Sequence, residues 1–407
     1  MDSVKTSYGQ VMLVDNGGFF PEQDNQQDIA WFLMDAMKVL GTDAVGVSER
    51  ELRWGVSYLR FQVKRTQLPL VCANLLDAAT RRTVVQPFLI KKIGTVRVGA
   101  FGLISDKVDL GPSRDSLRVE EPTAAARRTV AEMRKKGATV VVLLSQLGKV
   151  ESEDLAAAVP GIDAVVCGHN VPLIQKGRMI KNTVASYGGE QGQYLSRTVL
   201  TLNSQRRAVT GENESFILGP EVGERAEILK LVKDFEDAYN EKLRKEEREH
   251  AAATTAEGAD HYLGAELCAR CHSAEAQQWK TTSHSVAWQT LVTVKKDATP
   301  DCIPCHVVGY KQAGGFQNGA DAARLGGVQC ENCHGMGTQH EAFATAPRAV
   351  TAQTCIGCHH GENDSEFNWE HDLPLVAHDN TSGTTLSKKK VHIDPNMMKM
   401  GMKSGSN

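Results

Sequence analysis

Eight of the ten cysteines lie in four copies of one pentapeptide, in which two cysteines stand three residues apart and a histidine follows directly. Two thiols at this spacing can add to the vinyl groups of a haem, and the adjacent imidazole can bind its iron. We call the copies sites 1 to 4 in chain order: CARCH (Cys268, Cys271, His272), CIPCH (Cys302, Cys305, His306), CENCH (Cys330, Cys333, His334) and CIGCH (Cys355, Cys358, His359). The pattern predicts four haems c, each with two attachment cysteines and one proximal histidine.

Structural zinc, an iron–sulfur cluster, disulfides and a redox dithiol are the other uses of paired cysteines. Zinc needs only four ligands per site and does not demand a histidine after every second cysteine. The four unbroken copies therefore favour haem. The two remaining cysteines, Cys72 and Cys167, stand in apolar surroundings and are predicted to be core thiols.

Haem iron has a second axial position, and the chain offers further histidines near the four sites. A second imidazole gives six-coordinate iron suited to electron transfer, whereas an open position permits small-molecule binding or catalysis. The candidates are His250, His261, His284, His340, His360, His371, His378 and His392. For His250, His360, His371 and His392 an ordinary surface or core role is the competing interpretation.

The segment from about residue 260 to 380 resembles the tetrahaem cytochromes c that carry electrons from hydroxylamine oxidation. The resemblance follows HYLGAELCARCHSAEAQQWKTTSHSVA, CIPCHVVGYKQAGGF, GVQCENCHGMGTQH and CIGCHHGENDSEFNWEHDLPLVAH. It implies that His340 is the distal ligand of site 1, His284 that of site 3 and His378 that of site 4. In this family the second haem can be five-coordinate, so site 2 is the candidate for an open iron. His261, His371 or a ligand from a neighbouring subunit are the alternatives there.

Residues 8–215 show a different pattern, in which short β-branched runs alternate with amphipathic stretches. A helix is predicted over 28–41, with Ile29, Leu33, Met37 and Leu40 on its apolar face. A hairpin is predicted over 84–104 and a second helix over 122–137. Strands that alternate with helices predict a layered α/β domain.

The order of these segments resembles the metallophosphoesterase domain of 5′-nucleotidases, which binds two metal ions at strand ends. Most of the positions that match the family's ligands and catalytic histidine carry other residues: Gly18, Glu49, Arg50, Gln146 and Val171, with only His169 kept. The family's first Asp-x-His strand has no counterpart in this chain. Because a two-metal site needs a complete set of oxygen and imidazole ligands, the resemblance implies a scaffold that has lost phosphatase activity.

Composition sets the broad class of the protein. The chain has 407 residues, 41% of them hydrophobic, and a formal charge of −3, which excludes a polybasic nucleic-acid binder and an intrinsically disordered chain. No apolar run reaches the roughly 18 residues of a membrane-spanning helix. We predict an α/β metallophosphoesterase-like layered sandwich (1–218), a helical linker (219–257), a mostly helical and irregular multihaem cytochrome c domain (258–380) and a polar tail (381–407).

The leading hypothesis is an electron-transfer protein whose N-terminal domain serves as a scaffold or docking surface. Its partners would be redox proteins or an extracellular electron acceptor. One alternative is a haem enzyme acting on a small nitrogen or sulfur compound at an open site 2, and another is a subunit of a polymeric extracellular cytochrome assembly. Haem is attached to such motifs outside the cytoplasm, so a periplasmic or cell-surface location is expected. Residues 1–20 contain no export signal, so we expect either that processing removed an upstream segment that carried it or that the start of the sequence is misplaced.

Overall fold

The computed structural model of the chain describes residues 2–189, 192–250, 260–312, 314–342, 348–361 and 363–378. It consists of two compact units, an N-terminal unit (Met1–Leu231) and a C-terminal unit (Val232–Asn407). Residues 251–257 of the predicted linker (219–257) and the whole predicted tail 381–407 lie outside the described residues, as does the candidate His392. None of the described helices is long and apolar enough to cross a membrane.

The N-terminal unit is built on an eight-stranded mixed sheet. Its strands are β4 (Phe88–Ile93), β5 (Val96–Ile104), β7 (Val140–Gln146), β8 (Ala164–Cys167), β9 (Ile174–Ile180), β10 (Thr183–Tyr187), β11 (Tyr194–Leu202) and β12 (Ala208–Ile217). They lie in the order β11-β12-β9-β10-β8-β7-β5-β4. The four central strands β10, β8, β7 and β5 run parallel. Their continuous apolar sequences, such as VVVLLS in β7, are typical of parallel strands that are covered on both faces.

Two smaller pairs of strands form a second layer. They are β1 (Val14–Asp15) with β2 (Ala44–Val45), which pair in parallel, and β3 (Leu75–Asp77) with β6 (Leu117–Val119), which pair antiparallel. Between the two layers, Ala44, Val71, Ala100 and Leu144 form a buried cluster. A larger cluster covers the opposite face of the main sheet, where Val141 and Leu143 of β7 contact residues such as Met133 and Leu155.

Helices cover both outer faces of these layers. The helices of this unit are α1 (Asp2–Tyr8), α2 (Gln27–Leu40), α3 (Gly55–Thr66), α4 (Pro122–Lys135) and α5 (Lys149–Ala158). The start of α4 is fixed by Glu121, whose side chain accepts hydrogen bonds from the Thr123 and Ala124 amides, as expected of a good N-terminal cap. The predicted layered α/β fold is therefore confirmed, with helices α4 and α5 on one side and α2 and α3 on the other.

The apolar face of α2 differs by one position from the predicted one. The fully buried residues are Ala30 and Met34, whereas Leu40 is exposed just before the left-handed Gly41 that ends the helix. The helical period is as predicted, but Ala30 carries too small a side chain to be singled out as a core residue. It packs in the cluster that also holds Phe20 and Leu59.

The C-terminal unit consists of short helices joined by turns, which confirms the predicted mostly helical and irregular fold. The helices are α7 (Ala265–Cys268), α8 (Ser273–Trp279), α9 (Ala287–Thr293), α10 (Ala322–Leu325), α11 (Cys330–His334), α12 (Thr338–Glu341), α13 (Ala352–Ile356) and α14 (Trp369–Val376), with 3-10 turns at Ser283–Val286, Ile303–Cys305 and Gly319–Asp321. A small apolar cluster, including Leu291, Val307 and Phe316, surrounds site 2.

The long helix α6 (Ala226–His250) falls in the segment predicted as the linker. From Val232 onward it belongs to the C-terminal unit. Arg244 forms a two-pronged ion pair with Asp297, with nitrogen–oxygen distances of 2.7 and 3.2 Å. Lys295 bonds Asp237 at 2.6 Å. These contacts fix most of the helix to the segment between sites 1 and 2.

Candidate metal centres

Each CxxCH motif lies on a single helical turn, which explains how it can present three groups together. Site 3 forms α11, site 2 contains the 3-10 turn Ile303–Cys305, site 1 joins the end of α7 to the start of α8, and site 4 joins the end of α13 to the following turn. The amides of His272 and His359 bond the carbonyls of Cys268 and Cys355 at 3.0 and 2.9 Å. Residues three and four apart in a helical turn share one face, so both thiols and the imidazole point to the same side.

Three of the four proximal histidines face a second imidazole from a distant part of the chain. The ring centres are 6.1 Å apart for His272 and His340, 5.8 Å for His334 and His378, and 6.0 Å for His359 and His284. A metal ion bound to one nitrogen of each ring at about 2 Å separates the ring centres by about 6 Å, because the nitrogen lies about 1.1 Å from the centre. The three pairs therefore fit a bis-histidine iron.

Two of these pairs differ from the predicted assignment. His284 lies opposite the site 4 histidine rather than that of site 3, and His378 lies opposite the site 3 histidine rather than that of site 4. His340 pairs with site 1, as the resemblance implied. The exchange arises because the His284 ring meets a motif about 75 positions later in the chain, and the local sequence contains no sign of this contact.

Site 2 has a different environment. The Nδ1 atom of His306 lies 2.7 Å from the carbonyl oxygen of Ala287 and 3.4 Å from the Thr290 hydroxyl. No second imidazole faces His306 in the described residues in the way that the other three proximal rings are faced. Of the predicted alternatives, His371 is strongly exposed and bonds Asp372, and His261 packs against Gly314.

Hydrogen bonds to Nδ1 leave the Nε2 atoms of three proximal histidines available for a metal. Ala287 holds His306 in this way, and the carbonyl of Arg348 lies 3.3 Å from Nδ1 of His334. The carboxylate of Asp364 lies 2.7 Å from Nδ1 of His359. An acceptor on the outer nitrogen fixes the tautomer of a metal-binding histidine and raises its basicity. The donor set therefore fits covalently attached haem.

The thiols of different sites lie next to each other. Cys268 of site 1 hydrogen-bonds Cys330 of site 3, which lowers the pKa of Cys330 and raises that of Cys268. Cys305 of site 2 hydrogen-bonds Cys358 of site 4, with the same opposed effect on their two pKa values. Cys333 of site 3 lies within electrostatic range of Cys355 of site 4. The attachment sites therefore follow one another in the order 1, 3, 4, 2.

Burial also shifts the pKa values of one distal histidine and of the two cysteines outside the CxxCH motifs. Desolvation lowers the pKa of His284, and the neighbouring His359 and His306 lower it further. Burial raises the pKa of Cys72 to about 11 and that of Cys167 to about 12. Both of these thiols lie in the apolar core of the N-terminal unit.

The glycine-rich loop after site 2 packs against protein atoms. A side chain at Gly309 would overlap the Tyr262 ring, and one at Gly315 would overlap the Gly309 carbonyl oxygen. The glycines therefore allow the loop to fold on itself and against Tyr262.

The positions that match the family's metal ligands lie together at the carboxyl ends of the parallel strands. Gln146 ends β7, and its amide donates to the Asn16 carbonyl at 2.7 Å. Glu49 follows β2 and meets His169 at 3.3 Å. Arg50 donates to the Phe20 carbonyl at 2.9 Å, and Val171 is buried.

These residues do not fit a two-metal centre. Within the described residues, no three His, Cys, Asp or Glu side chains converge as metal ligands. Gly18 has no side chain to bind a metal, and its amide donates to Glu51 at 3.0 Å. His169 (φ 72°) and Asn170 (φ 57°) form a strained turn with left-handed backbone. Most of the metal ligands that the family places around this turn are replaced by other residues here.

Sequence reasoning missed several residues that organise these sites. Glu51 is fully buried and accepts hydrogen bonds from the amides of Gly18, Phe19, Phe20 and Ser48 and from the Ser48 hydroxyl. Glu331, Gln329 and Asp364 have comparable roles in the C-terminal unit. No spacing rule identifies them, because each acts on backbone or on a histidine brought near by folding.

Comparisons with known proteins match two different families to two different parts of the chain. Residues 267–335 match the family model for cytochrome c554 and c-prime. Cytochrome c-554 of Nitrosomonas europaea is 39% identical over 91 residues, which is 19% of this chain and 39% of that protein. The 2′,3′-cyclic-nucleotide 2′-phosphodiesterase/3′-nucleotidase of Salmonella typhimurium is 29% identical over 148 residues, 31% of this chain and 23% of that protein.

Two solved structures share the fold of a little more than half of this chain. A 5′-nucleotidase precursor from Thermus thermophilus has a TM-score of 0.52 at 20% identity, covering 58% of this chain and 51% of that chain. The sulfate thiohydrolase SoxB from the same species has a TM-score of 0.54 at 18% identity, covering 59% of this chain and 45% of that chain.

Both resemblances are confirmed. The C-terminal part is similar to the cytochrome c554 family, which implies c-type haem and a multihaem electron carrier. The N-terminal part is similar to the 5′-nucleotidases and metallophosphoesterases. The chain spans less than half the length of these two curated relatives, 39% and 23%, so each resemblance concerns one part of the chain.

Proposed function

We propose that this protein is a four-haem c-type cytochrome that transfers electrons. The observation that carries the proposal is the set of three imidazole pairs with ring centres 5.8–6.1 Å apart. Each pair joins the histidine of a CxxCH motif to a histidine outside any such motif. When bound, c-type haem would supply one-electron redox chemistry, and the two imidazoles of each pair would hold its iron.

The order of the attachment sites supports transfer within the chain. Contacts between cysteines connect site 1 with site 3 and site 4 with site 2, and the thiols of sites 3 and 4 are close as well. These three cysteine interactions link all four attachment sites in one series, which supports the proposal. We propose that electrons enter and leave at the two ends of this series, through redox partner proteins or an extracellular acceptor.

Site 2 supports a second candidate function, the binding of a small molecule at an iron with one protein ligand. His306 is held by Ala287 and faces no other imidazole in the described part of the chain. Small nitrogen or sulfur compounds are the class of ligand proposed for this position. Turnover of such a compound would make the protein an enzyme, and binding without turnover would leave it an electron carrier.

We propose that the N-terminal unit serves as a scaffold or docking surface without hydrolase activity. This proposal rests on the replaced ligand positions and on their contacts with protein groups: Gln146 donates to the Asn16 carbonyl, and Glu49 meets His169. A periplasmic or cell-surface location is proposed for the protein, because covalent haem attachment takes place outside the cytoplasm.

Mass spectrometry of the intact protein, produced in a host that attaches haem c, tests the proposal. We expect a mass increase of four haems and a Soret absorption band. Addition of nitric oxide, nitrite or hydroxylamine should change the spectrum of one haem only. Protein that carries zinc and shows no Soret band would contradict the proposal, and nucleotide hydrolysis with added manganese would contradict the scaffold assignment.

A further inference from the structure

Glu331 lies inside site 3, between its two cysteines, and is almost completely buried, with 4% of its surface exposed. Its carboxylate accepts four hydrogen bonds, all from backbone amides. The donors are Leu263 at 3.1 and 3.0 Å, Gly264 at 2.9 Å and Gly337 at 2.8 Å, with Leu263 reaching both oxygens.

The donors come from two segments that lead to the two imidazoles of site 1. Leu263 and Gly264 directly precede α7, which carries Cys268 of site 1. Gly337 directly precedes α12, which carries His340, the ring that faces His272. Glu331 itself belongs to α11 of site 3. One carboxylate therefore connects three segments: the helix that carries Cys268 of site 1, the helix that carries His340, and the helical turn of site 3.

The neighbouring Gln329 completes this arrangement. It is also buried, its side-chain oxygen accepts the Ala265 amide at 2.6 Å, and its nitrogen donates to the carbonyls of Arg324 and Gly326 at 3.0 Å each. The neutral side chain of Gln329 thus accepts the amide of Ala265, the first residue of α7. The Glu331 carboxylate accepts the two preceding amides, those of Leu263 and Gly264. An ionised carboxylate only accepts hydrogen bonds, which matches the amide donors around Glu331.

We propose that Glu331 is a positioning residue that sets the two-imidazole geometry of site 1, and that its buried charge lowers the reduction potentials of sites 1 and 3. This inference rests on the proposed function, because it assumes that both sites carry haem. A negative charge near an iron stabilises the ferric form, and the effect is large where water does not screen the charge. The contact between Cys268 and Cys330 places both sites beside this carboxylate.

The test uses the full haem-loaded chain and the variant Glu331→Gln, which keeps the side-chain shape and removes the charge. Spectroelectrochemical titration gives the four one-electron potentials. We expect two of them to rise by about 59 mV, a tenfold change in the ferric–ferrous equilibrium. The matched control is Glu266→Gln, which removes an exposed charge from α7 and should leave all four potentials unchanged.

A second variant, Glu331→Asp, separates positioning from charge and serves also if Glu331→Gln does not fold. It keeps the charge on a shorter side chain, so the potentials should stay near those of the unmodified protein. The low-spin electron paramagnetic resonance signal of one haem should shift, because the segments that hold His272 and His340 must move. Unchanged potentials in Glu331→Gln, or an unchanged signal in Glu331→Asp, would overturn the corresponding half of the proposal.

These outcomes are distinct from failure of the proposed function. If the unmodified chain carries fewer than the expected haems by mass, the four-haem proposal fails before any variant is compared. If the unmodified chain carries four haems and the Glu331 variants match it in potentials and resonance signals, the proposed function stands and the role of Glu331 does not.

Discussion

The hydrogen bond between Asp364 and His359 gives the most specific prediction for site 4. The carboxylate lies 2.7 Å from Nδ1 of the proximal imidazole, and such a bond makes the ring a stronger donor to iron and stabilises the ferric form. Asp364→Asn keeps a neutral hydrogen bond and removes the charge. A charge-assisted bond is stronger than a neutral one by about 1 to 1.5 kcal/mol.

Solvent reduces this difference, because both side chains are 35% exposed. We therefore expect about 0.7 kcal/mol between the ferric and ferrous forms, which is about 30 mV for a one-electron step. One of the four potentials should rise by this amount in a spectroelectrochemical titration. The matched control is Glu370→Gln, which removes an exposed carboxylate from α14 and should leave all four potentials unchanged. Equal shifts in both variants, or no shift in Asp364→Asn, would refute the reasoning.

Three further predictions concern the ligand pairs and the N-terminal unit. His378→Ala should convert the low-spin signal of site 3 to high-spin, and His284→Ala should do the same to the signal of site 4. If each variant instead changes the other site, the assignment expected from the resemblance is the correct one. Glu51→Gln should lower the free energy of unfolding of the N-terminal unit by about 3 kcal/mol in denaturant titrations followed by circular dichroism, because five donors lose a buried anion. The unmodified chain with manganese should release no phosphate from nucleotides.

The attachment residues could be predicted from the sequence because the chemistry of CxxCH is local. Two cysteines and a histidine within one helical turn define the site whatever surrounds it. The distal ligands could be nominated but not fully paired, since His284 and His359 meet only after the chain has folded. The likeness to a known family paired His340 with site 1, as the ring contacts do, but exchanged the partners of His284 and His378.

In the N-terminal unit too, elements with a clear local sequence pattern could be predicted, whereas contacts between distant segments could not. The strands β5, β7 and β8 could be predicted because continuous apolar runs are typical of parallel strands buried on both faces. The outer strands β9, β11 and β12 could not be predicted individually, since most of their residues are only partly buried and their sequences alternate weakly. The anchoring role of Glu51 could not be predicted, because most of its donors lie about 30 positions earlier in the chain.

The central claim is that three irons have two histidine ligands each and that site 2 has His306 alone. Low-temperature electron paramagnetic resonance of the oxidised protein tests it most directly, because it counts low-spin and high-spin irons. Three low-spin signals and one high-spin signal are predicted, with the low-spin set assigned to the pairs of His272, His334 and His359. Four low-spin signals would contradict the single ligand at site 2, and fewer than three would contradict the imidazole pairs themselves.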